Sequence, residues 1–339
     1  MSLADLPAIP AARPGALPGP QNGPLVLVGE VRTGLLRNST RIGGDAASDL
    51  LALMPGAAVR RATRPLHYAL SADFGVGVHC PLATPSRRNA EGIGTVLARV
   101  SLFGGRVVQA SARTLLAVGG GPGRLPWSHY VSRLGTIEVS GRASAGELAD
   151  GFLAHGLSTT LDPGAVCNRY LDRIQRSSLL DRTAPFRSRR TRLRFAAVVD
   201  GPDEAPDGAR GQRTGAFVIE DDTLRTLRLS FASASVPDVL ALCEDIALHD
   251  WLLTTLTRFL EAGGAAERSD PVRRLGPVVQ HLLPLWMPGA LVADDLQPLW
   301  DALERRAGFS RQWDSLVAHI RDQISLAVVA RLTDDDATG

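Results

Sequence analysis

The first hydrophobic run of the chain covers Leu25 to Arg32, in the sequence LVLVGEVR. It is rich in aliphatic residues and too short for a typical helix, so it predicts a buried β-strand. Six prolines precede it between positions 7 and 24, interspersed mainly with Ala and Gly. Such a composition is typical of a disordered arm, and we expect the folded part of the chain to begin at residue 25.

A β-hairpin is predicted over Thr95 to Thr114, around Gly104 and Gly105. A two-residue loop would mix apolar and polar side chains on each face, whereas a three-residue loop, Gly104 to Arg106, separates them. One face then carries Val96, Ala98, Val100, Leu102, Val108, Ala110 and Ala112, and the other carries Arg99, Ser101, Gln109, Ser111 and Arg113. We therefore predict the longer loop, with a glycine at positive φ, in an antiparallel sheet that has one packed and one solvated face.

Helical spacing follows at Ala145 to His155 and at Pro163 to Leu180. Three further strands are then predicted, at Arg189 to Val199, Gly215 to Glu220 and Leu224 to Phe231. The turn Asp221-Asp222-Thr223 joins the last two strands. Between the first two lies Asp200 to Gly211, a polar segment rich in Pro and Gly that predicts a loop.

From Ser235 onward the apolar residues keep a helical period. Ser235-Val-Pro-Asp238 resembles a capping box and opens a helix that runs to about Glu261. Further helices are predicted at Pro271 to Trp286, Leu296 to Arg306 and Gln312 to Leu332. We therefore expect an α+β fold. A disordered arm (1–24) precedes an antiparallel β-rich N-terminal domain (25–233), and an all-α C-terminal helical domain (234–332) ends in an acidic tail (333–339).

The helix that begins near Asp238 is apolar on more than one face. Leu240, Cys243, Trp251 and Leu252 lie outside the main apolar seam, whose positions are 239, 242, 246, 249, 253, 256 and 260. Such a helix must be central to its domain or covered by another subunit.

Composition removes several classes of chemistry. All 37 basic residues are arginines, which excludes Schiff-base lysines and the lysine of a Walker A motif. The three cysteines, Cys80, Cys167 and Cys243, are far apart and suit neither a disulfide framework nor a zinc site. The first 24 residues show no basic segment followed by an apolar run of signal-peptide length, so we expect no signal peptide. Prolines and a histidine interrupt the longest weakly polar stretch, so we expect no membrane span. We expect a soluble cytoplasmic protein that has no cofactor and no membrane contact.

Arginines are densest between Arg182 and Arg194. In a strand, alternate arginines share one face at a spacing of roughly 6.6 Å, which suits contact with phosphates or other anions. The candidate contact residues, named here the arginine strip, are Arg187, Arg189, Arg190, Arg192 and Arg194. The alternative is a solvated or internally paired face, because seven acids lie between positions 200 and 222. No aromatic residues interleave the arginines as an RNA-stacking surface would require.

Asp245 and His249 are one helical turn apart, and Asp250 follows directly. An acid–histidine pair can bind a metal or transfer protons, and the His-Asp dipeptide is also found in HD phosphohydrolases. That pattern needs another histidine upstream in the same helical domain, and the nearest, His155, lies outside it. The more ordinary interpretation is an ion pair on the helix surface.

Several segments resemble a family of actinobacterial proteins whose function is not known. They are Val26 to Thr40, His79 to Thr84, Leu125 to Tyr130, Phe186 to Phe195, Cys243 to Thr255, Leu285 to Ala290 and Arg311 to Gln323. The genes of this family commonly lie beside one for a variant P-loop protein. The resemblance implies a component of a multi-protein system and supplies no catalytic residues.

No catalytic signature stands out, and the helical part carries four of the five tryptophans. We therefore expect a non-catalytic protein that works through protein–protein contacts, the P-loop neighbour being one candidate partner. An anion- or nucleic-acid-binding module that uses the arginine strip is the first alternative. A metal-dependent hydrolase that uses Asp245, His249 and Asp250 is the second.

Overall fold

The computed structural model describes residues 9–10, 25–86, 90–119, 124–154, 160–199, 213–231, 235–264 and 271–338. The predicted arm, apart from Ile9 and Pro10, and the predicted loop 200–211 lie outside these ranges.

The described residues contain one sheet of eleven strands. The strands are β1 Ile9–Pro10, β2 Leu25–Leu35, β3 Arg60–Ala62, β4 Tyr68–Leu70, β5 Phe74–Leu82, β6 Ala90–Phe103, β7 Val107–Val118, β8 Thr136–Ser140, β9 Thr191–Val199, β10 Thr214–Ile219 and β11 Leu224–Phe231. The helices are α1 Gly44–Leu51, α2 Trp127–Val131, α3 Ala145–Leu153, α4 Pro163–Gln175, α5 Val236–Gly264, α6 Pro271–His281, α7 Gln297–Ala307 and α8 Phe309–Thr338.

The strand order is β1-β5-β6-β8-β7-β2-β9-β11-β10, and β4, with β3 beside it, also pairs with β6. β6 and β7 pair directly near their connecting loop, while β8 separates them where they diverge. The first long strand, β2, therefore lies in the interior of the sheet between β7 and β9. At the far end of the order, β10 forms one edge.

The predicted loop of the β6–β7 hairpin is confirmed. Phe103 pairs with Val107, which leaves Gly104 to Arg106 as a three-residue loop. Both glycines have positive φ, 56° and 66°. A Cβ on Gly105 would also lie 2.3 Å from the carbonyl oxygen of Ile42, so this position excludes any side chain.

The prediction that one face of the hairpin is solvated is wrong. Gln109 and Ser111, on the polar face, are each 1% exposed because α5 lies across them. The opposite face is also covered: its apolar residues share one core with α1, α3 and α4. Helices thus pack on both faces of the sheet, and alternation of polar and apolar residues here separates two buried environments.

The predicted antiparallel character of the N-terminal domain is also wrong, because the sheet is mixed. β9 and β11 run parallel, as do β7 and β8. In each parallel pair the two strands are separated along the chain by another element, β10 or α2. Turn residues in the sequence predict pairing only between consecutive strands. The antiparallel hairpins could therefore be predicted, whereas these parallel pairs of non-consecutive strands could not.

The helical C-terminal part packs directly on this sheet. α5 forms a common core with β2, β9 and β11 on one side and with α6, α7 and α8 on the other. Trp251, fully buried on α5, donates an Nε1–H bond of 2.9 Å to the carbonyl of Arg189. α5 is therefore the central helix that its apolar pattern required.

In the described part of the chain, no helix has an apolar stretch of the length and hydropathy that crossing a bilayer requires.

Candidate functional site

The central helix α5 carries a row of buried polar side chains, and each meets a different neighbour. Glu244 faces the β6–β7 hairpin, where its carboxylate accepts two bonds from Arg99, at 2.8 and 2.5 Å, and one from Ser111. Burial lowers the pKa of Arg99, but the Glu244 carboxylate outweighs this effect and the pKa is raised. The ion pair between Arg99 and Glu244 therefore joins α5 to the sheet.

Asp245 and His249 face the opposite way, into the tryptophans of the C-terminal helices. Asp245 Oδ2 accepts hydrogen bonds from Trp300 Nε1, at 2.6 Å, and from the Gly289 backbone, at 2.9 Å. His249 Nδ1 lies 2.7 Å from the Asp245 carbonyl oxygen, and its ring packs edge-on against Trp286 and Trp300. The two side chains predicted as an acid–histidine pair are thus in contact, at 3.3 Å, inside a buried cluster.

Asp250 is separated from that pair. Its carboxylate accepts a 2.9 Å bond from Arg225 Nε on β11, and burial raises the pKa of Asp250 against the opposing effect of this arginine. Arg225 also donates to the carbonyl of Asp221. The Asp221 carboxylate in turn caps the β10–β11 turn. It accepts hydrogen bonds from the backbone N–H groups of Thr223 and Leu224, which lower the pKa of Asp221 to about 2.

These placements decide what the three residues can do. Asp245, His249 and Asp250 are at most 4% exposed, so no substrate reaches them in this conformation. Of the described residues, no group of three His, Cys, Asp or Glu side chains lies close enough to hold a metal ion. The predicted surface ion pair is instead a set of buried contacts that attach the C-terminal helices to α5 and α5 to the sheet.

Arg192 and Arg194 share one face of β9, as the strand pattern predicts, and Arg190 directly precedes that strand. Each of the three meets a carboxylate. Arg190 bonds Asp172 on α4 at 2.8 Å, and Arg192 lies 4.0 Å from Asp221. Arg194 contacts Glu30 at 3.3 Å and also donates to carbonyls at the end of α3. The face is therefore covered by α3 and α4, and two of its counter-charges come from β2 and α4 instead of the acids between 200 and 222.

The other two members of the strip lie before β9 and are exposed. The nearest carboxylate oxygen to Arg189 belongs to Asp222 and is 3.9 Å away. Arg187 is exposed as well. The predicted loop 200–211, which holds four of the seven acids, lies outside the described residues.

The outer end of α8 shows a different kind of surface. The first half of this helix packs through Phe309, Trp313 and Ile320, which are each at most 7% exposed. Beyond Ser325 the apolar side chains face solvent: Leu326 is 71% exposed, and Val328 and Val329 are 44% and 58% exposed. We call residues 325–330 the α8 end. It is an apolar surface on a regular helix that nothing in the described part of the chain covers.

Sequence reasoning identified α8 as a helix but missed the α8 end. A signal was present: residues 324–330, ISLAVVA, are apolar around the helix, whereas residues 309–323 keep a polar face. It also missed Glu30, a fully buried acid that pairs with Arg32 and Arg194. An acid within a mainly aliphatic strand was the available indication there.

Comparison of the chain with protein-family models, with curated proteins and with solved structures finds no match.

Proposed function

We propose that this chain is a non-catalytic cytoplasmic protein that works by binding another protein through the α8 end. The exposed apolar surface of Leu326, Val328 and Val329 carries this proposal. Exposed apolar side chains that adjoin one another on a helix are typical of protein-binding sites, since burying them releases ordered water. The partner we propose is the P-loop protein encoded beside the family that this chain resembles.

The state of the reactive groups supports a binding role. Asp245 and the Nδ1 atom of His249 are engaged in internal hydrogen bonds, while His249 Nε2 is buried and has no hydrogen-bond partner among the described residues. Cys167 and Cys243 are buried, which raises the pKa of both thiols. The most accessible thiol, Cys80, has its pKa raised by burial to about 11 and is mostly protonated at neutral pH. Three free thiols also suit a reducing compartment.

The test uses co-expression of the full chain with the P-loop protein and size-exclusion chromatography. We expect the two to co-elute, and we expect Leu326→Arg combined with Val329→Arg to abolish co-elution. Both positions are more than half exposed, so the substitutions should change the free energy of unfolding by no more than about 0.5 kcal/mol each. Their effect on binding is large because two charges would be buried in an apolar contact.

Leu179→Arg is the matched control. Leu179 is 46% exposed and lies in the segment between α4 and β9, far along the chain from α8. Co-elution should survive this substitution. Separate elution of the wild-type proteins, or equal losses with both variants, would contradict the proposal.

The anion-binding alternative rests on the exposure of Arg187 and Arg189. It requires that duplex DNA or RNA bind at low salt, that binding weaken steeply as salt rises, and that Arg187→Glu with Arg189→Glu abolish it. Arg142→Glu, at an exposed arginine between β8 and α3, is the control. Four of the strip's arginines, Arg189 among them, already lie within 4.0 Å of a carboxylate oxygen, so we expect no binding in a fluorescence-anisotropy titration at low salt. Binding that only the double variant loses would favour the alternative over our proposal.

A further inference from the structure

The edge strand β10 is a six-residue run, TGAFVI, with no charged residue and no proline. In the described residues its partner strand is β11 on one side, and no strand pairs with its other side. Val218 and Ile219 are 48% and 59% exposed. Proteins commonly protect such edges with lysine, proline or a bulge, because an open edge is a template for pairing with another strand. This edge has none of these within the strand.

The hydrogen-bond register shows which backbone groups the open edge presents. Glu220 N–H donates to the Leu224 carbonyl across the turn, so Glu220 and every second residue before it bond toward β11. Gly215, Phe217 and Ile219 therefore direct their N–H and C=O groups outward. An added antiparallel strand would bond to the backbone groups of these three alternate residues. A second copy of β10 presents the same three residues at its own open edge.

Centred on Phe217, a second copy of β10 fits the first in side-chain size. In an antiparallel register about this residue, the partner's Ile219 lies opposite Gly215 and the partner's Val218 lies opposite Ala216. Small residues occupy the first half of the strand and large ones the second half, so Val218 and Ile219 each meet a small residue, while Phe217 lies opposite the same residue of the second copy. The register also matches the three outward positions with one another, which gives six backbone hydrogen bonds.

Charge favours the same arrangement. Arg213 precedes β10, and Glu220 and Asp221 follow it. Antiparallel pairing about Phe217 places Arg213 opposite the partner's Asp221, while parallel pairing in register would place like charges side by side. Arg213 also contacts Asp295 of its own chain at 3.0 Å and keeps 31% of its side chain exposed. A two-fold axis makes both ends of the contact equivalent, which closes the assembly at two copies.

We infer that two copies of this chain associate through antiparallel pairing of their β10 strands, which joins the two sheets into one. The surface is separate from the α8 end, so a homodimer can form whether or not the partner proposed above binds. The occupant of the edge is a second copy because strand parity, side-chain size and charge are all self-complementary about one residue.

A register-specific cross-link tests this inference. Ala216 and the partner's Val218 form a pair without mutual backbone hydrogen bonds, where Cα atoms lie about 4.5 Å apart, a separation that a disulfide accepts. An equimolar mixture of the Ala216→Cys and Val218→Cys variants should give a covalent dimer under mild oxidation. Either variant alone should not, because each cysteine then faces a residue without a thiol. The wild-type chain is the control for Cys80, and it should remain uncross-linked.

Sedimentation of the full chain over a concentration series supplies the second measurement. The wild type should be dimeric, and Val218→Lys should raise the dimer dissociation constant by at least about tenfold, since it places a charge on the pairing edge. Val118→Lys, at a valine that is 56% exposed near the end of β7, should leave the constant unchanged. A monomer at every concentration overturns the inference, and so does a dimer that Val218→Lys leaves intact. If a different protein pairs with the β10 edge, the purified chain would sediment as a monomer, and that result would also overturn the inference.

Discussion

Replacing Glu244 with alanine is expected to lower the free energy of unfolding by about 3 to 5 kcal/mol. The carboxylate is 10% exposed and compensates the Arg99 guanidinium, which is 11% exposed, so its removal leaves a positive charge between α5 and the sheet without its hydrogen-bonded counter-charge. Ser111 loses its acceptor in the same step. Urea unfolding followed by circular dichroism would measure the loss.

The double variant Glu244→Leu with Arg99→Met is the control for this prediction. A buried ion pair costs desolvation energy, so its replacement by apolar residues of similar volume should restore most of the stability that the single substitution removes. If the double variant is as unstable as Glu244→Ala, packing at these positions and not the unpaired charge is responsible. A loss below about 1 kcal/mol in the single variant would show that water reaches Arg99.

Asp245→Ala should have the second largest effect, about 2 to 5 kcal/mol, because it leaves two buried donors without an acceptor. These are Trp300 Nε1 and the backbone N–H of Gly289, which belong to the C-terminal helical part and are attached to α5 through this one carboxylate oxygen. Hydrogen exchange should therefore accelerate in α7 and α8 more than in β2 or β9. A uniform increase over the whole chain would instead indicate that the helices and the sheet unfold as one unit.

Trp300→Phe separates the two contributions to that effect. It removes one donor, keeps a smaller aromatic ring in the cluster beside His249, and leaves the Gly289 bond to Asp245 in place. Its cost should be less than half that of Asp245→Ala. Equal costs for the two variants would assign the effect to the indole, through its hydrogen bond together with its buried volume.

Local patterns were sufficient to predict much of the fold. The α5 start, the hairpin loop at Gly104 to Arg106 and strand β11 follow from capping, glycine placement and alternation, each of which acts within a few residues. No element was predicted between residues 41 and 94, where the structure has β3, β4, β5 and α1. These strands are short or interrupted by glycine, as in β5. β4 and β5 owe their pairing to β6, and β3 pairs with β4.

The site residues show the same division more sharply. The period of two residues predicted that Arg190, Arg192 and Arg194 share one face of a strand, but the acids that meet them come from α4, β2 and the β10–β11 turn. Helical spacing placed Asp245 beside His249, yet it could not show that a tryptophan from α7 would cover them. Sequence periodicity defines which side of an element a residue occupies. The element that packs against that side is determined by the topology of the whole sheet.

The interior position of β2 has a consequence for how the molecule is made. This strand leaves the ribosome first among the long strands, but it pairs with β9, whose residues are synthesised more than 150 positions later. Until then the Glu30 carboxylate has Arg32 beside it but lacks Arg194, and one edge of β2 stays open. Such distant pairing makes folding slow, because a long loop must close before any contact compensates its entropy. The nascent chain therefore carries an aliphatic strand with an open edge through most of its synthesis, which is the stage at which it most needs protection from aggregation.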